Sequence, residues 1–466
     1  MTPVETFRGL RVALFGLGGS GLSTLRALAS GGAEVAAWDD DAQARARAVA
    51  EGFAPVDLAA VDWRGFAAFV LAPGVPLTHP KPHWTVDRAA AAGVAVIGDI
   101  ELYARERAAR APEAPLVAIT GTNGKSTTTA LIAHVLREAG RDVAMGGNIG
   151  VPILDLPPPA RSRVHVVECS TFQIDLAPSL KPSVGALINL TPDHLDRHGT
   201  MENYAAIKER LVARSDVALV GVDDDHCRAI AERLRESRRR VVTISAAPSP
   251  LADVWVEDRY VVARSEPERV DLRHAPALRG GHNGQNAAFA FAAARALGVS
   301  GVEIARAMAS FPGLAHRMEQ VGRIGRALFV NDSKATNADA AEKALLSFSD
   351  IFWILGGKAK AGGIEPLRPL FSRVAKAYLI GAASEQFAHT LEGAVPFERC
   401  GTLENAVAAA TRDALASAAA EPVALLSPAC ASYDQFANFE ARGDRFRALV
   451  AARIAAAPGP GQRSGT

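Results

Sequence analysis

The sequence predicts an α/β protein of three domains, each built on a mainly parallel sheet. Short apolar runs alternate with helical stretches along nearly the whole chain, and that alternation restarts twice, near Gly98 and near Pro312. Its 466 residues are enough chain for several cores.

The first segment, residues 8 to about 97, offers RVALFG, AEVAAWD, AAFVLAPG and VAVIGD as strands. Its first strand leads into GLGGSG, in which Gly16, Gly18 and Gly21 match GxGxxG, with Ser20 inside the turn. Asp39 ends the second strand at about the distance expected of a ribose-binding acid. Taken alone, the pattern suits a dinucleotide site, or a glycine turn that serves helix–sheet packing only. The turn itself asks for a diphosphate, so any nucleotide diphosphate serves. A second loop, APGVPL with Pro73 and Gly74, follows the third strand and is placed to close over the same ligand.

The second segment holds the most informative stretch. Leu116 to Ile119 reads as a buried strand, GTNGKS as a glycine turn, and Leu131, Ile132, Val135 and Leu136 carry helical spacing after it. A glycine turn at a helix N-terminus is an anion site, because free N–H groups and the positive helix end converge there. Gly121, Thr122, Asn123 and Gly124 form the turn, Lys125 offers a point charge, and Ser126 and Thr127 follow, Ser126 being suited to Mg²⁺. The common P-loop places glycine five positions before Gly124, where this chain has Ile119, which points to a narrower group.

Further strands are HVVECS, GALINL and ALVGVDDD, and AAFAFAAARALG is the last strong helix of the segment. Glu168 ends HVVE, and paired with Ser126 it is the favoured metal carboxylate. TPDHLDRHG gathers Asp193, His194, Asp196, Arg197 and His198 in one loop, suited to ATP, Mg²⁺ or substrate rather than zinc. Asn148 sits in the glycine-rich loop GGNIG. By spacing alone Lys208 reads as a solvated helix lysine, and Asn286 in GGHNGQN as a first-turn polar residue.

In the third segment ALFVNDSKATN, IFWILGG, AKAYLIG and PVALLSPA read as strands followed by loops. Arg317, Asp332, Lys334, Thr336, Lys358, Lys360, Ser432 and Phe439 all fall after such runs, as expected of ligands at the carboxyl edge of a parallel sheet. Lysines, hydroxyls and an arginine there suit a carboxylate-bearing substrate and a polyphosphate. The tail APGPGQRSGT has the composition of a disordered end from about residue 457.

Composition narrows the class of partner. A net charge of +1 gives no reason to expect nucleic acid or an anionic membrane surface. Cys169, Cys227, Cys400 and Cys430 are too far apart for a paired-cysteine metal site or a disulfide framework, so a reducing compartment is expected. The stretch MTPVETFRGL lacks the features of a signal peptide, and no apolar run is long enough to span a bilayer. A cytoplasmic protein without membrane insertion is the expectation.

GTNGKS, VECSTFQ, DHLDRHG, the Lys208 helix, HNGQN, HRME, NDSKATN and SPACASYDQF fall in the order seen in the Mur ligases, which the chain resembles over residues 8 to 450. GDIEL at Gly98, NDSKATN and SPACASYDQFANFEARG are similar to the D-glutamate-adding branch, and the DNPR signature of the diaminopimelate-adding branch is absent. The resemblance implies a Rossmann-like UDP-substrate domain over 1–97, a central P-loop-type ATPase domain over 98–313, and a Rossmann-like amino-acid-binding domain over 314–466. It also assigns the first glycine turn to a UDP diphosphate instead of NAD, with Gly18, Ser20, Asp39 and Gly74 as contacts.

By the same resemblance, Gly121 to Thr127, Asn286, Arg317 and Asp332 bind ATP, and Ser126, Glu168, His194 and a carbamylated Lys208 hold two Mg²⁺ ions. Lys125, Asn148, His194, Lys208 and Lys334 take part in catalysis. Asp193, Thr336, Lys360, Ser432 and Phe439 receive D-glutamate. The implied partners are small molecules only, ATP, UDP-N-acetylmuramoyl-L-alanine and D-glutamate, acting on a monomer. The chain departs from the family pattern in its extra lysine, Lys358, and in Tyr433 where a smaller aliphatic is usual.

Overall fold

A computed structural model describes residues 1–360 and 362–456, so the tail expected to be disordered lies outside the described residues. The chain forms two compact units. One comprises Met1–Arg273 and Asn283–Ala309, the other His274–His282 and the chain from Ser310 onward.

The first unit contains two sheets. Strands β1 (Arg11–Phe15), β2 (Glu34–Trp38), β3 (Ala68–Leu71) and β4 (Val96–Ile97) form a parallel sheet in the order β2-β1-β3-β4. These are the four strands expected from the apolar runs. β3 is buried along its whole length, as a parallel strand covered on both faces must be.

The second sheet has nine strands: β5 (Leu116–Thr120), β6 (Asp142–Gly147), β7 (Arg163–Glu168), β8 (Val184–Leu187), β9 (Val217–Gly221), β10 (Val241–Ser245), β11 (Val254–Glu257), β12 (Tyr260–Ala263) and β13 (Arg269–Asp271). Their order is β13-β12-β11-β10-β9-β8-β5-β7-β6, parallel from β6 to β11 and antiparallel over the last two pairings. Of these, β5, β7, β8 and β9 are the strands expected from the apolar runs. β5 is fully buried between β7 and β8, and Ile119 pairs with both Glu168 and Ala186. This register brings the carboxyl ends of β5 and β7 side by side. Full burial of side chains such as Val117 and Ile119 stabilises that alignment by roughly 1.5–3 kcal/mol each.

The second unit holds β14 (Glu319–Ile324), β15 (Ala327–Asn331), β16 (Ile351–Gly356), β17 (Val374–Ile380), β18 (Phe397–Gly401) and β19 (Val423–Leu426). The order is β14-β15-β19-β16-β17-β18, with only β14 antiparallel to its neighbour. β15, β16, β17 and β19 are the expected strands, and β14 and β18 are additional. The segment His274–His282 packs with this unit: Gln320 Nε2 donates to the Pro276 carbonyl at 2.8 Å, and Arg279 Nη1 donates to Glu421 Oε2 at 2.5 Å.

Candidate active site

β5 runs into the turn Gly121–Gly124 and then into helix Lys125–Glu138, whose N-terminus has no side-chain cap. Gly124 sits in the left-handed region at φ 83°, and a Cβ there would lie 2.5 Å from Asn286 Oδ1. Only glycine meets both conditions without strain. Asn286 therefore backs the turn from helix Gly281–Ala296, where its Oδ1 also accepts from Thr128 Oγ1 at 3.1 Å. It is buried inside the helix rather than placed as a first-turn cap.

The turn is braced from the loop after β8. Asn189 Oδ1 accepts from the Asn123 N–H at 2.9 Å, its backbone carbonyl accepts from the Thr122 N–H, and Thr122 Oγ1 lies 3.1 Å from the Tyr204 hydroxyl. Lys125 Nζ folds back to donate to the carbonyls of Gly121 (3.0 Å) and Thr122 (2.7 Å). An ammonium held over an uncapped helix N-terminus suits a polyphosphate. Asn189 and Tyr204 were not singled out in the sequence. The available signals were a polar residue directly after a strand and a tyrosine one helical turn before Lys208.

Glu168 stands at the end of β7, 2% exposed. Its Oε1 accepts from Asn148 Nδ2 at 2.8 Å, while Oε2 is buried with no hydrogen-bond partner among the described residues. A buried carboxylate oxygen left unpaired is costly unless a cation meets it. With Ser126 in the first turn of the adjacent helix, the donor set fits an oxygen-liganded Mg²⁺. No group of three or more His, Cys, Asp and Glu residues gathers as a metal site among the described residues, so phosphate oxygens and water would complete such a coordination shell.

Lys208, on helix Met201–Ala213, is 2% exposed and not a solvated surface lysine. Nζ donates to Thr120 Oγ1 at 3.1 Å and to the Gly121 carbonyl at 2.8 Å, and it lies 4.9 Å from the Tyr204 ring centroid. Burial, and after it the charge of Lys125, bring its ammonium from the ordinary 10.5 down to about 7, and Asp193 acts in the opposite direction.

His194 has φ 51°, and its ring lies 5.3 Å from that of Phe172 at a tilted angle, with Nε2 3.5 Å from Asp193 Oδ2. Its neighbour His198 is buried, bonded to Thr171 Oγ1 at 2.8 Å, and burial lowers its basicity. Arg197 of the same loop donates to the Gly74 carbonyl at 3.2 Å, which ties the loop after β3 to the central sheet.

The glycines of the first turn divide by role. Gly16 has φ 99°, and a Cβ on Gly21 would collide with the Gly16 carbonyl, so both serve close strand–helix packing. Gly18 is exposed and a Cβ there would meet nothing within 4 Å, leaving its backbone open to an approaching ligand. Ser20 is half-buried in the first turn of helix Gly19–Gly31. Asp39 does not point away from the turn: Oδ2 accepts from the Leu17 N–H at 2.6 Å and Oδ1 from the Asp41 N–H at 2.8 Å. The carboxylate shapes the turn itself.

In the second unit Asp332 is buried at the end of β15, accepting from Ser427 Oγ at 2.8 Å and from the Met318 N–H at 3.2 Å. Burial raises its carboxyl to about 7 against these bonds and the nearby charge of Arg317. Lys334 Nζ lies 3.9 Å over the Phe439 ring, so Phe439 seats the lysine from the start of helix Phe439–Ala456. Ser432 is buried, Thr336 half-buried and Lys360 exposed. Lys358 exchanges backbone hydrogen bonds with Ala431, and Tyr433 is exposed beside Ser432. The first unit thus brings together the phosphate turn, Asn148, Glu168, Lys208 and Asn286, and the second gathers Arg317, Asp332, Lys334 and Phe439.

The Mur ligase middle domain matches residues 119–294, and the family described as Mur ligase, glutamate ligase domain, matches residues 316–430. UDP-N-acetylmuramoylalanine–D-glutamate ligase of Nitrobacter hamburgensis is 61% identical over 97% of this chain and 98% of its own length. The Agrobacterium fabrum protein of the same name is 59% identical over 97% of both. Among solved structures, UDP-N-acetylmuramate-alanine ligase from Thermotoga maritima shares the fold with a TM-score of 0.58 at 16% identity, covering 96% of this chain and all of that one. MurF from Acinetobacter baumannii shares it at 0.57 and 17% identity, over 85% and 93%. An uncapped helix N-terminus beside a buried, unpaired carboxylate, together with identity of this extent over nearly the full length, places the chain in the Mur ligase family.

Proposed function

We propose that the chain is an ATP-dependent ligase that adds D-glutamate to UDP-N-acetylmuramoyl-L-alanine, in the cytoplasmic synthesis of peptidoglycan precursors. The observation that carries the ATP chemistry is the meeting of Lys125, Glu168 and Lys208 around one uncapped helix N-terminus. The choice of acid and amine rests on the relatives that match over nearly the whole chain.

A carboxylate is a poor acylating agent, because oxide is not displaced by an amine. The γ-phosphoryl of ATP is therefore transferred to the substrate carboxylate: a P–O bond to that carboxylate forms and the bond to ADP breaks. The D-glutamate amine then attacks the acyl carbon, loses a proton, and the tetrahedral intermediate expels phosphate to leave the amide. Positioning and charge neutralisation do most of the work in such a transfer. Lys125 and the amides at the start of helix Lys125–Glu138 hold the phosphates, and Asn286 keeps the turn in shape. Ser126 and Glu168 would hold Mg²⁺, which supplies charge neutralisation at the phosphates when bound; Asn148 orients Glu168 by its hydrogen bond.

Lys208 is the carbamate candidate. A neutral amine adds CO₂ and releases one proton to become an anion, and an amine titrating near 7 is neutral in large part at physiological pH. The carbamate and His194 would serve a second Mg²⁺. The segments 1–97, 98–313 and 314–466 take the UDP sugar, ATP and the amino acid respectively. Gly18, Ser20 and Gly74 contact the UDP moiety with Asp39 shaping that turn. Arg317, Asp332 and Lys334 serve the nucleotide, and Thr336, Lys360, Ser432 and Phe439 with Asp193 serve D-glutamate. The protein acts as a monomer.

The test is phosphate release from ATP with UDP-N-acetylmuramoyl-L-alanine present, with and without D-glutamate. Release that needs both is expected. Release indifferent to D-glutamate would overturn the choice of amino acid.

A further inference from the structure

Helix Phe439–Ala456 carries a buried cation that the chemistry above does not use. Arg442 is 1% exposed. Its Nε donates to Ser333 Oγ at 3.0 Å, and its Nη2 donates to the carbonyls of Ser333 (2.9 Å) and Cys430 (3.0 Å). All of these acceptors are neutral. Nη1 is buried without a hydrogen-bond partner among the described residues. It faces Gly357, where an added Cβ would come within 3.3 Å of it and would collide with the Ala431 carbonyl.

Three turns therefore meet at one guanidinium. Ser333 precedes Lys334, Cys430 lies two residues before Ser432, and Gly357 precedes Lys358, whose backbone is paired with Ala431. The helix is itself held against the first of these turns, since Asn331 Nδ2 donates to the Gly443 carbonyl at 3.1 Å and Ser333 Oγ donates to the Phe439 carbonyl at 2.8 Å. A planar guanidinium spans carbonyls on two turns at once in a way an ammonium does not. The charge of Asp434 acts on the guanidinium without a direct hydrogen bond to it.

We propose that Arg442 is a positioning residue for the acidic amino-acid substrate. It fixes the turns bearing Lys334, Ser432 and Lys358 in one frame, so that the side chains they carry stay in register for that substrate. The proposal rests on the D-glutamate reading. Burial also lowers the guanidinium to about 10, against the opposing influence of Cys430 and Asp434.

The test is steady-state kinetics of Arg442→Lys and Arg442→Met in the full chain, with thermal unfolding measured alongside. Arg442→Met is expected to raise KM for D-glutamate at least tenfold, with a smaller rise in KM for ATP passed through the Ser333 turn. Arg442→Lys, which keeps the charge and loses the two-turn span, should raise KM for D-glutamate by a smaller factor; it carries the test alone if the methionine variant does not fold. Unchanged KM for D-glutamate in the folded variants, with only stability or kcat reduced, would overturn the proposal and leave Arg442 a packing clamp. Wild-type enzyme that releases phosphate without regard to D-glutamate would instead overturn the underlying function.

Discussion

Lys208 offers a test in which stability and activity move in opposite directions. The folded chain disfavours its ammonium, so the unfolded chain binds that proton more readily, with values of about 7 folded and 10.5 unfolded. The resulting penalty is fully present below pH 7, shrinks as pH rises from 7 to 10.5, and vanishes above that interval. At about 1.4 kcal/mol per pH unit it reaches about 5 kcal/mol in acid, about 4 at pH 7 and about 2 at pH 9. Lys208→Met removes the charge and with it two donated hydrogen bonds, to Thr120 Oγ1 and the Gly121 carbonyl, which together contribute about 2 kcal/mol. The variant should be more stable than wild type by about 2 kcal/mol at pH 7, lose that advantage near pH 9, and form no ADP. Urea unfolding in CO₂-free buffer, followed by hydrogen exchange in the peptide covering Leu116–Thr120, reads the first unit alone. A variant less stable at pH 7, with a pH profile parallel to wild type, would refute the burial argument and remove the source of neutral amine for a carbamate.

Two further substitutions probe the same site from other sides. Gly124→Ala imposes a left-handed conformation costing about 1–2 kcal/mol and drives a methyl to within 2.5 Å of Asn286 Oδ1, so KM for ATP should rise at least tenfold; a wild-type KM would free the turn from nucleotide binding. Glu168→Gln keeps an acceptor for Asn148 and removes the charge at the unpaired Oε2, so the Mg²⁺ concentration for half-maximal activity should increase at least tenfold. An unchanged requirement would take Glu168 out of the metal site.

Many of the strands legible in the sequence are sealed on both faces, although β2 and β4 are legible with one buried residue each. β3, β5, β8, β9, β16 and β19 are buried throughout and so appear as continuous apolar runs. β6 escaped because DVAMGG is only half-buried and ends in glycines, and β14 because EQVGRI shows water most of its length. β11 to β13 form a short antiparallel edge with polar residues, a pattern that resembles loop. The same contrast holds at the site. The phosphate turn declares itself because its residue types and spacing are the chemistry. Lys208 does not, since its burial comes from Tyr204 and the end of β5, which are remote from one another in sequence. Asp39 was placed correctly at a strand end, but only the folded turn shows its carboxylate engaged by the Leu17 amide. Arg442 has no local signal in the sequence, because its burial comes from the Ser333 and Cys430 turns.

The packing of His274–His282 with the chain beyond Ser310 makes the second unit discontinuous in sequence. A fragment begun at residue 314 would therefore be an amputated domain rather than an excised one. Glu421, bonded by both Arg279 and Arg323, would keep only the second of these cations, and Gln320 on the edge strand β14 would lose the Pro276 carbonyl. The strand left uncovered lies at the margin of a six-stranded sheet, where bare backbone invites pairing with another molecule. Nine residues borrowed from earlier in the chain thus act as the selvedge of this sheet, and any dissection of the protein has to carry them along.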